Sequence, residues 1–120
     1  MSKRNIAETF LKLASSGRVR EAYEHHVHPD FRHHNAYFKG DRQSLLVGME
    51  ESARNYPDKR YATLRALEEG ELVAIHGKVA FGGSQWSVIH IFRFRENKII
   101  EAWEASQAVL KESPNENGIF

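Results

Sequence analysis

Apolar residues in the first half of the chain recur every three or four positions, the spacing of one face of an α-helix. The pattern predicts a first helix that begins at Asn5 in a capping-box-like start. A short second helix is predicted over residues 18–26, stopped by Pro29, and a third over residues 42–56. Between these two, we expect residues 31–37 to form a short extended segment that enters the core.

The second half of the chain changes to short apolar runs rich in β-branched and aromatic residues. Strands joined by connections short enough for hairpins are predicted over residues 61–67, 72–81, 85–95 and 99–109. Helices followed by an antiparallel meander predict an α+β fold, with the helices packed on one face of a curved sheet. We expect a single domain over residues 1–110 and a polar C-terminal tail over residues 111–120.

The last predicted hairpin carries an imidazole and a carboxylate on largely apolar strands, at His90 and Glu104. Because strand side chains alternate between faces, the turn decides whether these two groups share a face. A two-residue turn would put Glu96 at positive φ, which is costly for a residue with a side chain. We therefore predict a three-residue loop with Asn97 in the left-handed region, which places even positions beside even positions. His90 and Glu104 then share the concave face.

The opposite face of this hairpin mixes apolar and charged side chains. Arg93 is expected opposite or diagonal to Glu101, in a favourable cross-strand pair. Such a surface is typical of a subunit interface or of a partly wet sheet face. We expect a homodimer through residues on this face, namely Ile91, Arg93, Trp103 and Gln107.

Composition narrows the classes of function. The chain of 120 residues has 17 Lys and Arg against 16 Asp and Glu, so no basic surface indicates a nucleic-acid partner. No apolar run reaches the roughly 20 residues that a membrane span needs. The chain has no cysteine, which excludes disulfides and thiolate chemistry. We expect a cytoplasmic protein that has no membrane partner.

Five of the seven histidines lie between residues 25 and 34, and imidazole is a common metal ligand. The run His25-His26-x-His28 lacks the i, i+4 spacing and the accompanying acid of a helical metalloprotease motif. We therefore predict no metal site and interpret the run as a polar loop. The roles of these three histidines and of His33 stay open.

Residues 90–104, HIFRFRENKIIEAWE, resemble the pattern DIFRFENGKIVEHWD of SnoaL-like polyketide cyclases. Residues 31–35, FRHHN, are similar to the YIQHN segment of that family. The family belongs to the nuclear-transport-factor-2-like superfamily, which also contains ketosteroid isomerase. The resemblance implies a cone-shaped, curved antiparallel sheet wrapped around three N-terminal helices. It also implies a pocket open at one end of the cone and dimers formed through the outer face of the sheet.

The resemblance further implies a set of site residues. In cyclase-type members the acid at the position of Glu104 acts as general base, the position of His90 lines the pocket, and the His of the second motif corresponds to His34. We accordingly predict Glu104, His90 and His34 as catalytic residues, with the neighbouring His33 directed outward. Ligand contacts are expected at Trp86, Val88, Phe92, His76 and Ala102.

The sequence departs from the family pattern at three of these positions. Glu104 replaces an Asp, Ala102 replaces a His, and His90 replaces an Asp. A carboxylate with an imidazole neighbour still supplies a base and a proton donor. The departures therefore change the polar groups of the pocket without removing the means for acid–base chemistry.

Three functions stay open on the sequence alone, of which a protein-interaction role resembling the nuclear transport factor is the least favoured, because the sequence contains no partner signature. The first is a cofactor-independent enzyme that enolises a small apolar carbonyl compound and thereby cyclises, isomerises or dehydrates it. No cofactor is expected, since the chain has no glycine-rich nucleotide loop. The second is a non-catalytic module on the same fold that binds a small ligand or only dimerises.

Overall fold

The computed structural model describes residues 1–120 and contains three helices and five strands. The helices are α1 (Lys3–Ser15), α2 (Val19–His26) and α3 (Arg42–Asn55). The strands are β1 (Val27–His33), β2 (Arg60–Glu69), β3 (Leu72–Phe81), β4 (Ser84–Arg95) and β5 (Lys98–Ala108). They form one open, curved sheet in the order β1-β5-β4-β3-β2. This confirms the predicted α+β fold of three helices and a curved sheet.

One edge of the sheet differs from the predicted antiparallel arrangement. β1 pairs with β5 in parallel, whereas the other three strand pairs are antiparallel. The segment expected at residues 31–37 starts earlier, at Val27, directly after α2. Pro29 therefore lies inside an edge strand instead of ending the helix. An edge strand tolerates this residue, and the register between β1 and β5 shifts around it.

The starts of α1 and α3 are fixed by side-chain caps. The Ser2 hydroxyl accepts a hydrogen bond from the Asn5 backbone N–H at 3.1 Å, so the cap of α1 is Ser2, three residues before the predicted cap at Asn5. Asp41 caps α3 in the same way through the Ser44 backbone N–H at 3.0 Å. Neither α1 nor the other two helices is both long and apolar enough to cross a membrane.

The core lies between the helices and the concave face of the sheet. Phe10 of α1 packs edge-on against Tyr23 of α2 and against Phe92 of β4, with ring centroids 5.6 Å and 5.9 Å apart. Tyr23 in turn meets the ring of Phe31 on β1 at 6.1 Å. Edge-to-face contacts of this kind are favourable beyond the apolar area that they bury. They fix the helices over the sheet and leave the far end of its concave face uncovered.

The turn between β4 and β5 corrects the predicted loop and keeps the predicted register. Glu96 and Asn97 both have positive φ, 53° and 61°, and Arg95 pairs with Lys98, so the loop has two residues. Such a turn alone would set odd positions beside even ones. Ile100 is an extra residue in β5, a bulge that restores the even register one step later.

Beyond the bulge the cross-strand pairs are those that the sequence predicted. His90 lies opposite Glu104, and Arg93 lies opposite Glu101. Even positions of the two strands therefore face the helices, and odd positions form the outer face of the sheet. The predicted loop was one residue too long, and the bulge was not predicted. The two errors cancel, so His90 and Glu104 share a face as expected.

Residues 109–120 contain no helix or strand. The Lys78 ammonium lies over the Phe120 ring, 4.7 Å from its centroid, in a cation–π contact. Lys78 belongs to the outer face of β3, since it pairs with the outward-facing Ser87 of β4. The C-terminal residues thus return to the sheet instead of extending away from it.

Candidate active site

A cavity of about 460 Å³ occupies the uncovered end of the concave face. Sixteen of the 25 residues that line it are hydrophobic. Aromatic rings of α1 and of strands β1, β3 and β4 line it. They include Phe10, Phe31, Phe81, Trp86 and Phe92. A concave, mostly apolar space with a few polar groups is the usual form of a small-molecule site.

His90 and Glu104 provide a titratable pair on the cavity wall. The Nε2 atom of His90 lies 3.9 Å from Oε1 of Glu104, beyond direct hydrogen-bond distance. The His90 side chain is 14% exposed and stacks on the Phe92 ring, whereas Glu104 is 36% exposed towards the mouth. A ligand oxygen lying to one side can approach both atoms at about 2.8 Å.

Burial sets the protonation state of His90. It lowers the pKa of the imidazole, and the nearby Glu104 charge opposes this shift without reversing it. His90 is therefore neutral at neutral pH. Its Nδ1 atom is buried without a partner, so the tautomer with the proton on Nε2 avoids an unpaired buried N–H and directs the donor towards Glu104.

Asn35 fixes the Glu104 carboxylate from the other side. Its Nδ2 group donates to Oε1 of Glu104 at 3.1 Å. Its backbone N–H donates to Nδ1 of His33 at 3.1 Å, and the Nε2 atom of His33 lies 2.6 Å from the carbonyl oxygen of Lys39, so His33 carries its proton on Nε2 and donates there. This chain of hydrogen bonds connects β1 to the carboxylate and restricts the directions in which Glu104 can turn.

His33, the last residue of β1, and His34, which follows it, are placed opposite to the prediction. Because His33 lies beside Ala102 in the parallel β1–β5 pair, it shares the inward face and is buried in the cavity wall. His34 points to the outer face, where its ring stacks on Trp103 at 5.1 Å and its Nε2 atom lies 2.7 Å from Oε2 of Glu101. His34 is therefore not a cavity residue, and its predicted place in the pocket is wrong.

His76 also lies outside the cavity. On β3 the odd positions face the helices, as shown by the fully buried Val73 and Ile75, so His76 belongs to the outer face. Its Nε2 atom is 2.8 Å from the Ser87 hydroxyl, and its Nδ1 atom contacts the Arg65 guanidinium. Its expected contact with a ligand in the cavity is therefore wrong.

The remaining predicted ligand contacts do lie on the cavity wall. The wall includes Trp86, Val88, Phe92 and Ala102. Trp86 stacks on Phe81 with centroids 6.4 Å apart, and these two rings form one flat side of the space. A flat aromatic side suits a planar ligand, although contact between these residues and a ligand stays a prediction.

Lys59 and Asn35 are polar groups of the cavity that the sequence reasoning missed. Alternation along β1 from the buried Phe31 would have placed His33 and Asn35 on one face, so for them a signal existed. Lys59 follows the turn at Pro57 and precedes β2, and nothing in its local sequence distinguishes it from a solvated lysine. Only the folded arrangement shows that it lines the cavity.

The mouth of the cavity is partly covered by the Phe38 ring, which lies against α3 at Gly48. A Cβ atom built on Gly48 would come within 2.3 Å of that ring. Glycine at this helical position thus allows the loop between β1 and α3 to lie close to the helix. Phe38 and the exposed Tyr37 from the same loop both line the cavity.

The outer face carries a second charged cluster, centred on Glu101. This carboxylate is 5% exposed and accepts hydrogen bonds from Arg93 at 2.6 Å, from Arg32 at 3.1 Å and from His34 at 2.7 Å. The bond with His34, then that with Arg93, lowers the pKa of Glu101 to about 2. No group of three or more His, Asp or Glu side chains is arranged to hold a metal ion.

Known structures share this architecture. An uncharacterised cystatin-fold protein from Novosphingobium aromaticivorans superposes with a TM-score of 0.76 at 15% identity, over 88% of this chain and 98% of that chain. A proposed ketosteroid isomerase from Kribbella flavida gives 0.74 at 15% identity, over 94% and 83% of the two chains. IdmH, a proposed polyketide cyclase from Streptomyces antibioticus, gives 0.68 at 20% identity, over 85% and 91%. These low identities show the fold alone.

The helices, the open curved sheet and the cavity at its end define a protein of the nuclear-transport-factor-2-like, cystatin-like α+β class. Within that class, the sequence model of the SnoaL-like domain matches residues 7–102. The chain therefore belongs to the SnoaL-like family, as its last hairpin indicated. No curated protein sequence matches this chain.

Proposed function

We propose that the cavity binds a small, mostly apolar carbonyl compound and that Glu104 and His90 enolise it. The observation that carries this proposal is a carboxylate and a neutral imidazole 3.9 Å apart on the wall of an apolar cavity of about 460 Å³. A base needs a carboxylate free to accept a proton. Glu104 meets this need because it accepts one hydrogen bond, from the amide of Asn35, and lies 3.9 Å from His90 without a direct bond to it.

The reaction would start with the C–H bond next to the carbonyl group. Glu104 takes the proton, the electron pair of that bond forms a C=C bond, and the carbonyl oxygen gains negative charge. The Nε2–H group of His90 donates to this oxygen, which stabilises the charge as it develops. Return of the proton to another carbon gives isomerisation, attack on a second carbonyl gives cyclisation, and loss of a β-hydroxyl group gives dehydration.

The family and the described neighbours support this reaction class at a coarse level. One neighbour is described as a proposed ketosteroid isomerase and another as a proposed polyketide cyclase. Ketosteroids and polyketides are both carbonyl compounds, and both are largely apolar. The mostly hydrophobic lining of the cavity fits a ligand of that character.

The proposal is tested by proton exchange, which needs no knowledge of the natural substrate. In D₂O, enolisation replaces the α-protons of a ketone with deuterium, and the loss of their ¹H NMR signal gives the rate. We expect the protein to exchange the α-protons of 2-tetralone at least about a hundredfold faster than buffer does. A panel of aryl ketones of increasing size that all exchange at the buffer rate would contradict the proposal.

Binding without turnover is the second candidate, and the exposure of Glu104 favours it. A carboxylate that is 36% exposed at the cavity mouth keeps part of its hydration, which weakens a base that acts on carbon. In that case the aryl ketones would bind saturably, as seen from quenching of the Trp86 and Trp103 fluorescence, while their exchange rates stayed at the buffer value. The same samples thus distinguish the two functions.

We further propose that the outer face of the sheet forms a homodimer. Ile89 and Ile91 expose 49% and 39% of their surface there, and Ile91 lies opposite Trp103 on β5. Adjacent exposed apolar side chains on one face are typical of a protein–protein contact, and a second copy presents the same patch.

Light scattering after size-exclusion chromatography tests the dimer. We expect a mass near twice the chain mass of 13.8 kDa for the unmodified protein. The substitution Ile91→Glu should give the monomer mass, because it buries a charge without a partner at the contact. Val47→Glu, at a 44% exposed position on α3 and away from the outer face of the sheet, is the matched control and should stay dimeric. A monomeric unmodified protein would contradict the proposal.

A further inference from the structure

Lys59 places a positive charge inside the cavity. It lies between α3 and β2, is half-buried and lines the cavity near its aromatic side. Its ammonium lies 5.2 Å from the centroid of the Phe81 ring, and it donates a hydrogen bond to the Ser52 hydroxyl at 2.6 Å. These two contacts hold the side chain in the cavity wall instead of letting it extend into solvent.

The protein itself does not neutralise this charge. An ammonium group has three N–H donors, and Ser52 takes one of them. No carboxylate lies within 4.0 Å of the Lys59 ammonium. The seven close ion pairs of the molecule all join other residues. A partly buried cation without an anionic partner is unfavourable, and an anion that enters the cavity would remove this cost.

The electrostatic state of Lys59 agrees with this picture. Burial lowers the pKa of its amine, while the negative charge of Glu104 raises it. The two groups therefore sense each other across the cavity without forming an ion pair. A bound anion would favour the charged amine, just as an opposite charge does in any buried pair.

The surroundings of Lys59 define the rest of the ligand. The Lys59 ammonium lies over the Phe81 ring, Trp86 stacks on Phe81, and the Tyr56 ring packs against Phe81 with ring centroids 4.9 Å apart. A planar group lying along Phe81 and Trp86 would bring a substituent at its edge to Lys59. The site therefore combines an aromatic surface with one positive charge at its border.

We propose that Lys59 binds the carboxylate of a planar, apolar ligand and thereby orients it with its reactive carbon towards Glu104. The substrate class would then be aromatic or polycyclic keto acids, in preference to neutral ketones. This inference rests on the proposed use of the cavity for a small carbonyl compound and adds the anionic group and the direction of binding. Lys59 is in this view a residue that determines specificity, and the base remains Glu104.

A pair of probes that differ in charge tests the inference. Dissociation constants of 2-naphthoate and of the neutral 2-acetonaphthone are measured by titration calorimetry for the unmodified protein and for Lys59→Met. Methionine keeps the packing of the side chain against Phe81 and removes the charge. We expect naphthoate binding to weaken about ten- to a hundredfold, since bonds to charged groups are strong, and acetonaphthone binding to change less than about twofold.

Two further variants separate charge from folding. Lys59→Arg keeps the charge and should weaken naphthoate binding by less than about threefold, clearly less than Lys59→Met does, which a purely structural role of lysine does not predict. Lys78→Met removes the other lysine that lies over an aromatic ring, on the outer face, and should change neither constant. Selectivity for naphthoate should also fall as the pH rises through the pKa of Lys59, which lies below the ordinary lysine value.

The outcomes distinguish this inference from the proposed function. If acetonaphthone binds and naphthoate binds no better in the unmodified protein than in Lys59→Met, the role of Lys59 is refuted and the cavity proposal stands. If neither probe binds the unmodified protein at millimolar concentration, both are refuted. Equal weakening of both probes in Lys59→Met also refutes the inference, because it indicates loss of cavity shape instead of loss of charge.

Discussion

The substitution Glu104→Gln is expected to reduce the exchange of 2-tetralone protons by at least about a hundredfold, close to the buffer rate. A positioned base contributes about a hundred- to ten-thousandfold to a proton transfer, and glutamine cannot accept the proton. The replacement keeps the shape of the side chain, and its amide oxygen can still accept the bond from Asn35 that Glu104 accepts at 3.1 Å. The loss would therefore report chemistry and not a change of structure.

Glu101→Gln is the matched control for this experiment, because Glu101 lies three residues away on the same strand and faces the opposite side of the sheet. We expect it to retain the exchange rate per folded molecule. Ketone binding should be unchanged in Glu104→Gln, which fluorescence titration can verify. An exchange rate equal to that of the unmodified protein in Glu104→Gln would exclude this residue as the base.

The second large effect is expected in stability, from Glu101→Gln. This carboxylate is 5% exposed and receives hydrogen bonds from three side chains, two of them guanidinium groups. Charged hydrogen bonds to a group this close to full burial contribute about 1–3 kcal/mol, so the free energy of unfolding at pH 7 should fall by about that amount. Urea unfolding followed by tryptophan fluorescence measures it, at one fixed protein concentration in case the chain is a dimer.

The pH dependence of this effect has a defined sign. The pKa of Glu101 in the folded protein is about 2, against an ordinary value of 4.5. A depressed pKa stabilises the fold above the ordinary value, and this contribution is lost as the pH falls from about 4.5 through about 2. The difference between the unmodified protein and Glu101→Gln should therefore be full at pH 7 and shrink across this window.

The exposed pair of Arg20 and Glu50 provides a control for the stability experiment. Arg20 binds both oxygens of Glu50, at 2.8 Å and 3.1 Å, as Arg32 does with Glu101, but the Glu50 side chain is 26% exposed whereas that of Glu101 is 6% exposed. Exposed ion pairs contribute little, so Glu50→Gln should destabilise the protein less than Glu101→Gln does. Equal urea midpoints for Glu101→Gln and the unmodified protein between pH 3 and pH 7 would contradict the role assigned to this cluster.

The sequence predicted the fold because its two halves have different periods. Helical spacing around Phe10 and the alternation of β4 and β5 each identify one type of element, and together they determine the α+β class. The boundaries were less predictable. Asn5 resembled a cap, but Ser2 has the free hydroxyl at the geometrically correct distance from the Asn5 N–H. The residue types of Ser2 and Asn5 both suit a helix cap, and in the folded chain the cap is Ser2.

The candidate site was predictable where one hairpin contains it and unpredictable where distant segments meet. His90 and Glu104 lie on neighbouring strands, so alternation was enough to bring them together. The direction of His33 and His34 depends on the parallel pairing of β1 with β5, and pairing between segments about 70 residues apart has no local signal. The same holds for Lys59, whose place in the cavity depends on how α3 packs over the sheet.

The bulge at Ile100 shifts the alternation of side-chain directions along β5 by one residue. Ile99 and Ile100 are consecutive and both buried, which breaks the usual alternation of buried and exposed positions at the bulge. The residues that follow, including Glu101 and Glu104, have the side-chain directions that the bulge sets. A one-residue deletion at the bulge would exchange the two surfaces of β5 and turn Glu104 to the outer face of the sheet. The face of the sheet on which Glu104 lies is thus set by a pair of isoleucines, neither of which lines the cavity.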